Sequence, residues 1–249
     1  MMPRAIFIVL LLYPAVCFAA KPLRACGGQS EWPPSSYYAD RQKRTITGYS
    51  ADVLHKIFDN TAYQIEIQLL PWPRCLAEVQ NGENYQIAMA VSRTPERETK
   101  FIFSTPYLFL TPGSVSLNSQ HPRQGNISTL SKCGINGFNY NPYDMFNSKD
   151  IDTTANNYES VIKKLITGRC DYLLEYTEVA QSLIRLEEYG FTKGTFKIEK
   201  ILGAKLVPAH FAIGENAPDS KKILAMVNEK LIQLEKKGKL KSLINKHMQ

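Results

Sequence analysis

The stretch IEIQLLPWPRCLAEVQNGENYQIAMAV, residues 65–91, contains the pattern that decides the fold. Residues 65–69 alternate apolar and polar side chains, as in a half-buried strand. Residues 71–74 then turn the chain into a helix, which Gly82 can end in a left-handed conformation. A buried strand follows at 86–91. Strand, helix and strand at this spacing predict a βαβ unit, which requires a parallel sheet with a right-handed crossover.

The chain on both sides of this stretch continues the pattern. Upstream, residues 23–26 predict a short strand, and a helix begins near Ser50. Downstream, the predicted elements are a strand at 133–136, a helix at 158–166, a strand at 171–174, a helix that Thr177 can cap, a strand at 205–213 and a long helix that Asp219 can cap. Residues 109–125, rich in Pro, Gly and Ser, separate the two series and predict a hinge or linker. We therefore expect an α/β protein of two lobes, each an open, mostly parallel sheet flanked by helices.

Residues 1–19 have the pattern of a secretory signal peptide. Arg4 supplies the positive start, an apolar run follows, and the small residues Cys17 and Ala19 precede the expected cleavage before Ala20. The apolar run is shorter than the ~20 residues that a membrane-spanning helix needs, and no later stretch is long and apolar enough. We expect the mature protein to be periplasmic and not embedded in the membrane.

The charge of the chain gives little support to a nucleic-acid partner. The formal net charge is +7, and its lysines are scattered. Only residues 236–246 are densely basic, and there Leu240, Leu243 and Ile244 keep helical spacing, which favours a solvated helix face. We expect no binding to nucleic acid.

Four cysteines remain after the signal peptide is removed, and an even number in an oxidising compartment favours two disulfides over a metal site. The chain has no CxxC or HxxxH pair, and its four histidines are far apart in sequence. We expect no metal and no cofactor.

The predicted topology places a ligand site between the lobes. Loops at the carboxyl ends of parallel strands form a crevice, because helix N-termini and free amide groups converge there. The candidate loops are 27–38, 71–74 and 92–97 from one lobe, and 137–140 and 175–177 from the other.

Several motifs, in these loops and elsewhere in the chain, resemble those of a known protein family. They are Glu31-Trp32-Pro33-Pro34-Ser35, Gly48-Tyr49-Ser50-Ala51-Asp52-Val53, Pro71-Trp72-Pro73-Arg74, Thr94-Pro95-Glu96-Arg97 and Phe103-Ser104-Thr105-Pro106-Tyr107, with residues 165–171 and 228–237 in the second half. In this order the sequence resembles the family 3 periplasmic solute-binding proteins, the amino-acid receptors of ABC importers. The resemblance spans nearly the whole mature chain.

The resemblance implies two α/β lobes joined by two crossing strands, with the last helices returning to the first lobe. The expected division assigns residues 20–111 and 215–249 to the first lobe and residues 112–214 to the second.

The resemblance also implies ligand-binding residues. Arg97 matches the arginine that binds a ligand carboxylate, a task that suits the parallel donors of a planar guanidinium, although an exposed salt bridge is the common alternative. Ser92 matches a hydroxyl donor to the same carboxylate or, alternatively, a helix cap. Trp32 and Trp72 match positions that contact the ligand in the family. The alternative for each is ordinary core packing, which is common for tryptophan.

The second lobe is expected to contribute Phe138, Asn139 and Tyr176. Tyr176 is a departure, because the family's amino-acid receptors often have an aspartate there that pairs with the ligand ammonium group. Glu175 is adjacent but is expected to point the other way if the strand pleat continues. The resemblance therefore leaves open an amino acid, another carboxylate or a short peptide.

The expected positions of the cysteines pair Cys26 with Cys75 and Cys133 with Cys170, so that each disulfide stays within one lobe. The other two pairings would tie the lobes together and impede their movement.

The function that follows is capture of a small polar ligand by lobe closure, as a monomer and without catalysis, for the permease of an ABC importer. Two alternatives use the same scaffold. One is a lyase like cyclohexadienyl dehydratase, with Glu31, Glu175, Glu178 or His210 as the available acid or base. The other is a ligand sensor for a membrane partner.

Overall fold

The computed structural model describes residues 21–40, 42, 45–118 and 127–249. The expected signal peptide and residues 119–125 of the expected linker lie outside the described residues.

The secondary structure alternates strands and helices along most of the chain. The strands are β1 (Lys21–Gly28), β2 (Tyr37–Tyr38), β3 (Ile46–Thr47), β4 (Tyr63–Leu70), β5 (Ile87–Ser92), β6 (Phe101–Phe103), β7 (Leu108–Leu110), β8 (Pro112–Leu117), β9 (Lys132–Ile135), β10 (Ile151–Ala155), β11 (Tyr172–Tyr176), β12 (Phe196–Lys200) and β13 (Val207–Gly214). The helices are α1 (Tyr49–Phe58), α2 (Trp72–Asn81), α3 (Pro95–Glu98), α4 (Tyr158–Ile166), α5 (Thr177–Leu186), α6 (Ser220–Lys236) and α7 (Lys239–Met248).

Two mixed sheets form the two lobes. The first has the order β4-β1-β5-β13-β6, with β7 also paired to β13, and the second has the order β10-β9-β11-β8-β12. Strands β1, β4 and β5 run parallel, as do β9, β10 and β11. The chain passes from the first sheet to the second between β7 and β8 and returns between β12 and β13. The strands that follow the two crossings, β8 and β13, run antiparallel to their neighbours, so both sheets are mixed.

The βαβ unit predicted from residues 65–91 is confirmed, since β4 and β5 both pair parallel with β1. Gly82 ends α2 with φ 76°, and its N–H donates to the Glu78 carbonyl at 3.0 Å. A Cβ at this position would lie 2.6 Å from Ala217 Cα, so the turn requires glycine for space as well as for conformation.

Three sequence expectations need correction. Residues 112–117 of the expected linker form β8, because this segment is one of the two crossing strands. Residues 207–214 were expected in the second lobe, but β13 pairs in the first sheet. Neither Thr177 nor Asp219 caps a helix through its side chain: Thr177 is the first residue of α5, and Asp219 precedes α6 in a left-handed conformation.

The last two helices return to the first lobe, as the resemblance implies. Helix α7 packs on α1, whose apolar stripe includes the buried residues Leu54 and Ile57. His247 lies between Tyr37 and Asp52, with 3.0 Å from its Nδ1 to the Tyr37 hydroxyl and 2.9 Å from its Nε2 to Asp52 Oδ2. This contact fixes the end of the chain against the first lobe.

Both expected disulfides are present. Cys26 is bonded to Cys75 and Cys133 to Cys170, with Cα atoms 5.8 and 5.9 Å apart. The first joins β1 to α2, and the second joins β9 to the start of β11, so each crosslink stays on one side of the cleft. Within the described part of the chain, no helix is both long and apolar enough to span a bilayer.

Candidate functional site

A cavity lies between the two sheets, at the ends of their parallel strands. The space open to the centres of water molecules inside it is about 60 Å³. A single buried water needs roughly 10–15 Å³ on this measure, so the cavity has room for a small molecule. Its lining consists of Gly28, Trp32, Ser35, Ser36, Trp72, Met89, Ala90, Ser92, Arg97, Leu110, Phe138, Asn139, Tyr140, Tyr143, Leu174, Glu175, Tyr176 and Ala209.

All five loops that the sequence nominated contribute to this lining. The structure brings together the seven expected ligand-binding residues, which are Trp32, Trp72, Ser92, Arg97, Phe138, Asn139 and Tyr176. They converge because β1, β4 and β5 end at the same edge of the first sheet, and this edge faces the corresponding edge of the second sheet.

Arg97 lies in the short helix α3. The Thr94 hydroxyl caps this helix by accepting from the Arg97 backbone N–H at 3.2 Å. The Arg97 guanidinium donates from Nη1 to the Ser92 carbonyl and hydroxyl, both at 3.0 Å, and its Cζ lies 5.9 Å from the centre of the Trp72 ring. Burial lowers the pKa of Arg97, but an arginine in a protein stays charged.

The charge of Arg97 is not balanced by a neighbouring acid. No carboxylate among the described residues lies within ion-pair distance of its guanidinium. Arg93, by comparison, is paired with Glu98 at 2.7 Å and exposed. The guanidinium of Arg97 is therefore a partly buried cation at a cavity, where its remaining N–H groups can donate to an anionic group.

Ser92 connects the two sides of the cleft. Its hydroxyl accepts from Arg97 and from Asn139 Nδ2 at 3.0 Å, and Asn139 belongs to the second lobe. The helix-capping role considered for Ser92 belongs to Thr94 instead. Arg97 Nη2 reaches the Gly137 carbonyl at 3.5 Å, which adds a second, longer contact across the cleft.

Aromatic rings form most of the remaining wall. Trp32 and Tyr176 meet edge to face with ring centres 5.8 Å apart, so the first-lobe and second-lobe aromatics are in contact. The indole Nε1 of Trp32 is buried and makes no standard hydrogen bond within the described residues. The Trp32 ring lies close enough to the Glu175 carboxyl group and the Tyr158 hydroxyl to oppose the rise in their pKa values that burial causes.

Glu175 is the main residue of the cavity lining that was not expected there from the sequence. It lines the same cavity as Tyr176 and is 3% exposed. Its Oε2 accepts from the Tyr158 hydroxyl at 2.5 Å, and its Oε1 accepts from the Tyr176 backbone N–H at 2.8 Å. Burial raises the pKa of Glu175 to about 7, while the Tyr158 hydroxyl, the Tyr176 N–H and the nearby Trp32 N–H oppose this rise.

The expectation that Glu175 points away from the site was therefore wrong. Strand β11 is buried on both faces and ends at Tyr176, so both of its last two side chains reach the space between the lobes. The available signal was an acidic residue in a strand that is otherwise apolar and aromatic, since a buried carboxyl group needs a specific reason.

Two tyrosines, Tyr140 and Tyr143, were also missed. The Tyr140 hydroxyl accepts from the Ile135 N–H at 2.6 Å, and that of Tyr143 accepts from the Gly113 N–H at 3.2 Å. Both hydroxyls are used in holding backbone, and both rings face the cavity wall. Within the described residues, no group of three or more His, Cys, Asp or Glu side chains is arranged to hold a metal ion.

The fold has two α/β lobes joined by two crossing segments. They enclose a cavity lined by a guanidinium that has no acidic partner among the described residues, and this is the architecture of a solute-binding protein. The model of the bacterial extracellular solute-binding proteins, family 3, matches residues 25–249. The chain belongs to this family.

Individual relatives are distant in sequence and similar in fold. The L-cystine-binding protein TcyJ of Escherichia coli K12 is 22% identical over 227 residues, covering 88% of this chain and 80% of that protein. A histidine-bound substrate-binding protein of an ABC uptake transporter from Streptococcus pneumoniae superposes with a TM-score of 0.76 at 16% identity, covering 92% of this chain and 93% of the other. The ancestral amino-acid-binding protein AncCDT-1, a precursor of cyclohexadienyl dehydratase, gives 0.73 at 19% identity, covering 92% and 96%.

Proposed function

We propose that this protein is a periplasmic receptor that captures an amino acid or a related small carboxylate between its lobes and presents it to an ABC importer. The observation that carries the proposal is the partly buried guanidinium of Arg97, which faces an enclosed cavity without an acidic partner among the described residues. A ligand carboxylate supplies the missing charge through two parallel hydrogen bonds.

The other lining residues have complementary tasks. Ser92 adds a hydroxyl beside the carboxylate, and Trp72 packs under the guanidinium. Trp32, Phe138, Asn139 and Tyr176 cover the body of the ligand from both sides of the cleft. An aromatic wall with a few directed polar groups is typical of a site that selects a small molecule by shape and charge.

Lobe closure is the binding mechanism we propose. The first lobe comprises the first sheet with α1, α2, α3, α6 and α7, and the second comprises residues 112–200. The contacts from Ser92 to Asn139 and from Arg97 to Gly137 belong to the closed arrangement. A ligand that touches both lobes favours this arrangement in proportion to its extra affinity for it. The importer then recognises the closed monomer.

The experiment is a thermal-shift screen followed by calorimetry. The panel contains the twenty common L-amino acids, L-cystine, small carboxylates and polyamines, because a ligand that binds the folded form alone raises its melting temperature. We expect amino acids or carboxylates to raise the melting temperature and polyamines to leave it unchanged. A panel without any stabilising amino acid or carboxylate contradicts the proposal. Loss of uptake of the identified ligand in a deletion strain separates transport from sensing.

A second candidate is a lyase on the same scaffold, and the buried carboxyl group of Glu175 favours it. A group with a pKa near 7 inside a cavity is suited to proton transfer at neutral pH. The other acid–base candidates are not in the cavity lining. His210 Nδ1 is bonded to the Ser104 carbonyl at 2.7 Å, and Glu178 accepts from the N–H and hydroxyl of Thr111 at 2.9 and 2.7 Å. Turnover of prephenate or arogenate establishes this function, and saturable binding without product excludes it for those compounds.

A further inference from the structure

Two hydrogen bonds join the lobes outside the cavity. The Arg185 guanidinium of α5 donates from Nη2 to the His247 carbonyl of α7 at 2.9 Å. In the turn that follows α5, the Tyr189 hydroxyl donates to Glu31 Oε1. Arg185 and Tyr189 belong to the second lobe, whereas Glu31 and His247 belong to the first. These four residues are not part of the cavity lining, so both contacts can form without a ligand.

Adjacent residues of β2 hold both acceptors in the first lobe. The Tyr38 backbone N–H donates to Glu31 Oε2 at 2.8 Å, and the Tyr37 hydroxyl lies 3.0 Å from His247 Nδ1. Glu31 and His247 are both buried. Because the two acceptors share one strand as their support, they are preorganised, and a single segment of the second lobe can meet both at once.

The turn that carries Tyr189 has an unusual backbone. Helix α5 ends at Leu186, and Glu187 and Tyr189 both adopt left-handed conformations, with φ 54° and 56°. Glu31, on the opposite side of the contact, has φ 58°. Three of the six non-glycine residues with positive φ in the described part of the chain are thus found in this contact or in the turn that carries it. Such conformations are unfavourable for bulky residues and persist where the surrounding contacts select them.

The Arg185 contact has the chemistry of a helix cap supplied by the other lobe. The last carbonyls of α7 have no partners within the helix and carry partial negative charge, which a cation stabilises. The Nε of Arg185 is buried without a hydrogen-bond partner in the described residues. Beside it, the Ser182 hydroxyl lies 3.9 Å from the Met248 sulfur. Closure therefore removes the guanidinium from water and provides the end of α7 as its partner, a balance that suits a contact able to form and break.

We propose that Arg185 and Tyr189 form a latch with the His247 carbonyl and the Glu31 carboxylate, and that this latch holds the lobes closed independently of contacts to the ligand. The inference rests on the proposed function, because it concerns the closure that traps the ligand. A contact made only in the closed arrangement raises the closed fraction, and with it the apparent affinity and the residence time of the ligand. In this assignment Glu31 is a positioning residue.

Small-angle X-ray scattering of the ligand-free protein tests the latch directly. The variant Arg185→Ala/Tyr189→Phe removes both second-lobe donors and keeps the aromatic ring. The control Arg24→Ala/Tyr85→Phe removes the same chemical groups from hydrogen bonds inside the first lobe. We expect a larger radius of gyration for the latch variant than for the wild type, and no change for the control. Equal radii for the wild type and the latch variant contradict the proposal.

A single substitution keeps the test available if the double variant does not fold. Tyr189→Phe retains the ring that packs against Tyr158 and loses only the hydroxyl. Its control is Tyr85→Phe, and the melting temperatures of both show whether the lobes themselves are intact. A larger radius in Tyr189→Phe alone supports the latch, and a radius equal to that of Tyr85→Phe contradicts it.

Ligand kinetics provide the second measurement. For a compound that binds in the thermal-shift panel, we expect dissociation from the latch variant to be about tenfold faster than from the wild type, because hydrogen bonds to charged groups are lost from the closed state. The control should release the ligand at the wild-type rate. If no compound binds, the proposed function fails, while the scattering comparison still decides the latch. If ligands leave the wild type and the latch variant at the same rate, the latch is wrong and the proposed function stands.

Discussion

The two lobes contribute charged residues of different character to one cavity. Arg97, on the first lobe, lies in the short helix α3, stays charged at every relevant pH and uses its Nη1 group to hold Ser92. Glu175, on the second, is buried at the end of a strand, has donors on both oxygens and titrates near neutrality. The comparison teaches that one side of the cavity carries a fixed positive charge, whereas the other side carries a carboxyl group whose charge depends on pH.

The largest expected effect tests whether each lobe is stabilised independently. The disulfides close loops with sequence separations of 49 and 37 residues, for which chain entropy gives about 4 kcal/mol each. We expect the double variants Cys26→Ala/Cys75→Ala and Cys133→Ala/Cys170→Ala to lose that much unfolding free energy, measured by urea denaturation. Ligand affinity of the folded variants should stay within about twofold. A stable variant that has lost its ligand response would show that the disulfide controls closure.

The second prediction concerns the pH dependence of unfolding. The folded-state pKa of Glu175 is raised from 4.5 to about 7, so the stability contributed by its protonated form is present below pH 4.5 and lost as the pH rises through 7. Relative to Glu175→Gln, the wild type should lose about 3 kcal/mol of unfolding free energy between pH 4.5 and pH 8. Denaturation curves of both proteins at several pH values measure this difference. Parallel pH profiles would mean that Glu175 titrates normally.

The third prediction concerns the fixed charge. Arg97→Ala should weaken the binding of any carboxylate-containing ligand about 100-fold, because a partly buried charge contact is lost. The melting temperature of the ligand-free protein should hardly change, since Arg97 makes no ion pair within the described residues. Arg93→Ala is the matched control, because Arg93 is exposed and paired with Glu98. If both variants lose the same affinity, the loss comes from the lower net charge of the protein and not from a contact in the cavity.

The smallest expected effect concerns the Trp72 ring, which packs against the Arg97 guanidinium. Trp72→Ala should weaken binding about fivefold, since a cation over an aromatic face contributes on the order of 1 kcal/mol. Trp72→Phe keeps an aromatic ring and should lose less. Calorimetry on the two variants decides the point, and a Phe variant as weak as the Ala variant would show that the indole itself is required.

The secondary structure of the first half of the chain was predictable because it is determined by residues close together in sequence. Apolar alternation at 65–69 and the glycine at 82 are decided by neighbours in sequence, and both predictions were confirmed. Two crossing strands were expected, but the position of β8 was not predicted, because Pro112 and Gly113 indicate a loop locally, whereas tertiary pairing with β11 and β12 makes this segment a strand. The lobe of β13 is likewise set by pairing with β5, which the sequence of β13 does not encode by itself.

The site was predictable to the extent that loops at strand ends converge. Arg97 follows a predicted parallel strand in a motif that resembles the family's, so its place at the strand end could be inferred. Glu175 was missed because the alternation rule predicts opposite directions for adjacent strand residues, whereas this strand ends inside the cleft and is buried on both faces. The pKa of Glu175 is raised by burial and partly lowered by the hydrogen bond from Tyr158, and both depend on tertiary packing that the sequence of β11 does not show.

The route of the chain through the two sheets has a consequence for biogenesis. In a chain that folds from its N-terminus, every strand of the second sheet is available by residue 200, whereas the first sheet still lacks β13 and its covering helices α6 and α7. Cys133 and Cys170 can therefore form their disulfide within the second sheet while the first sheet is still incomplete. In this order, the lobe that carries Glu175 is completed first, and the lobe that carries Arg97 is completed last.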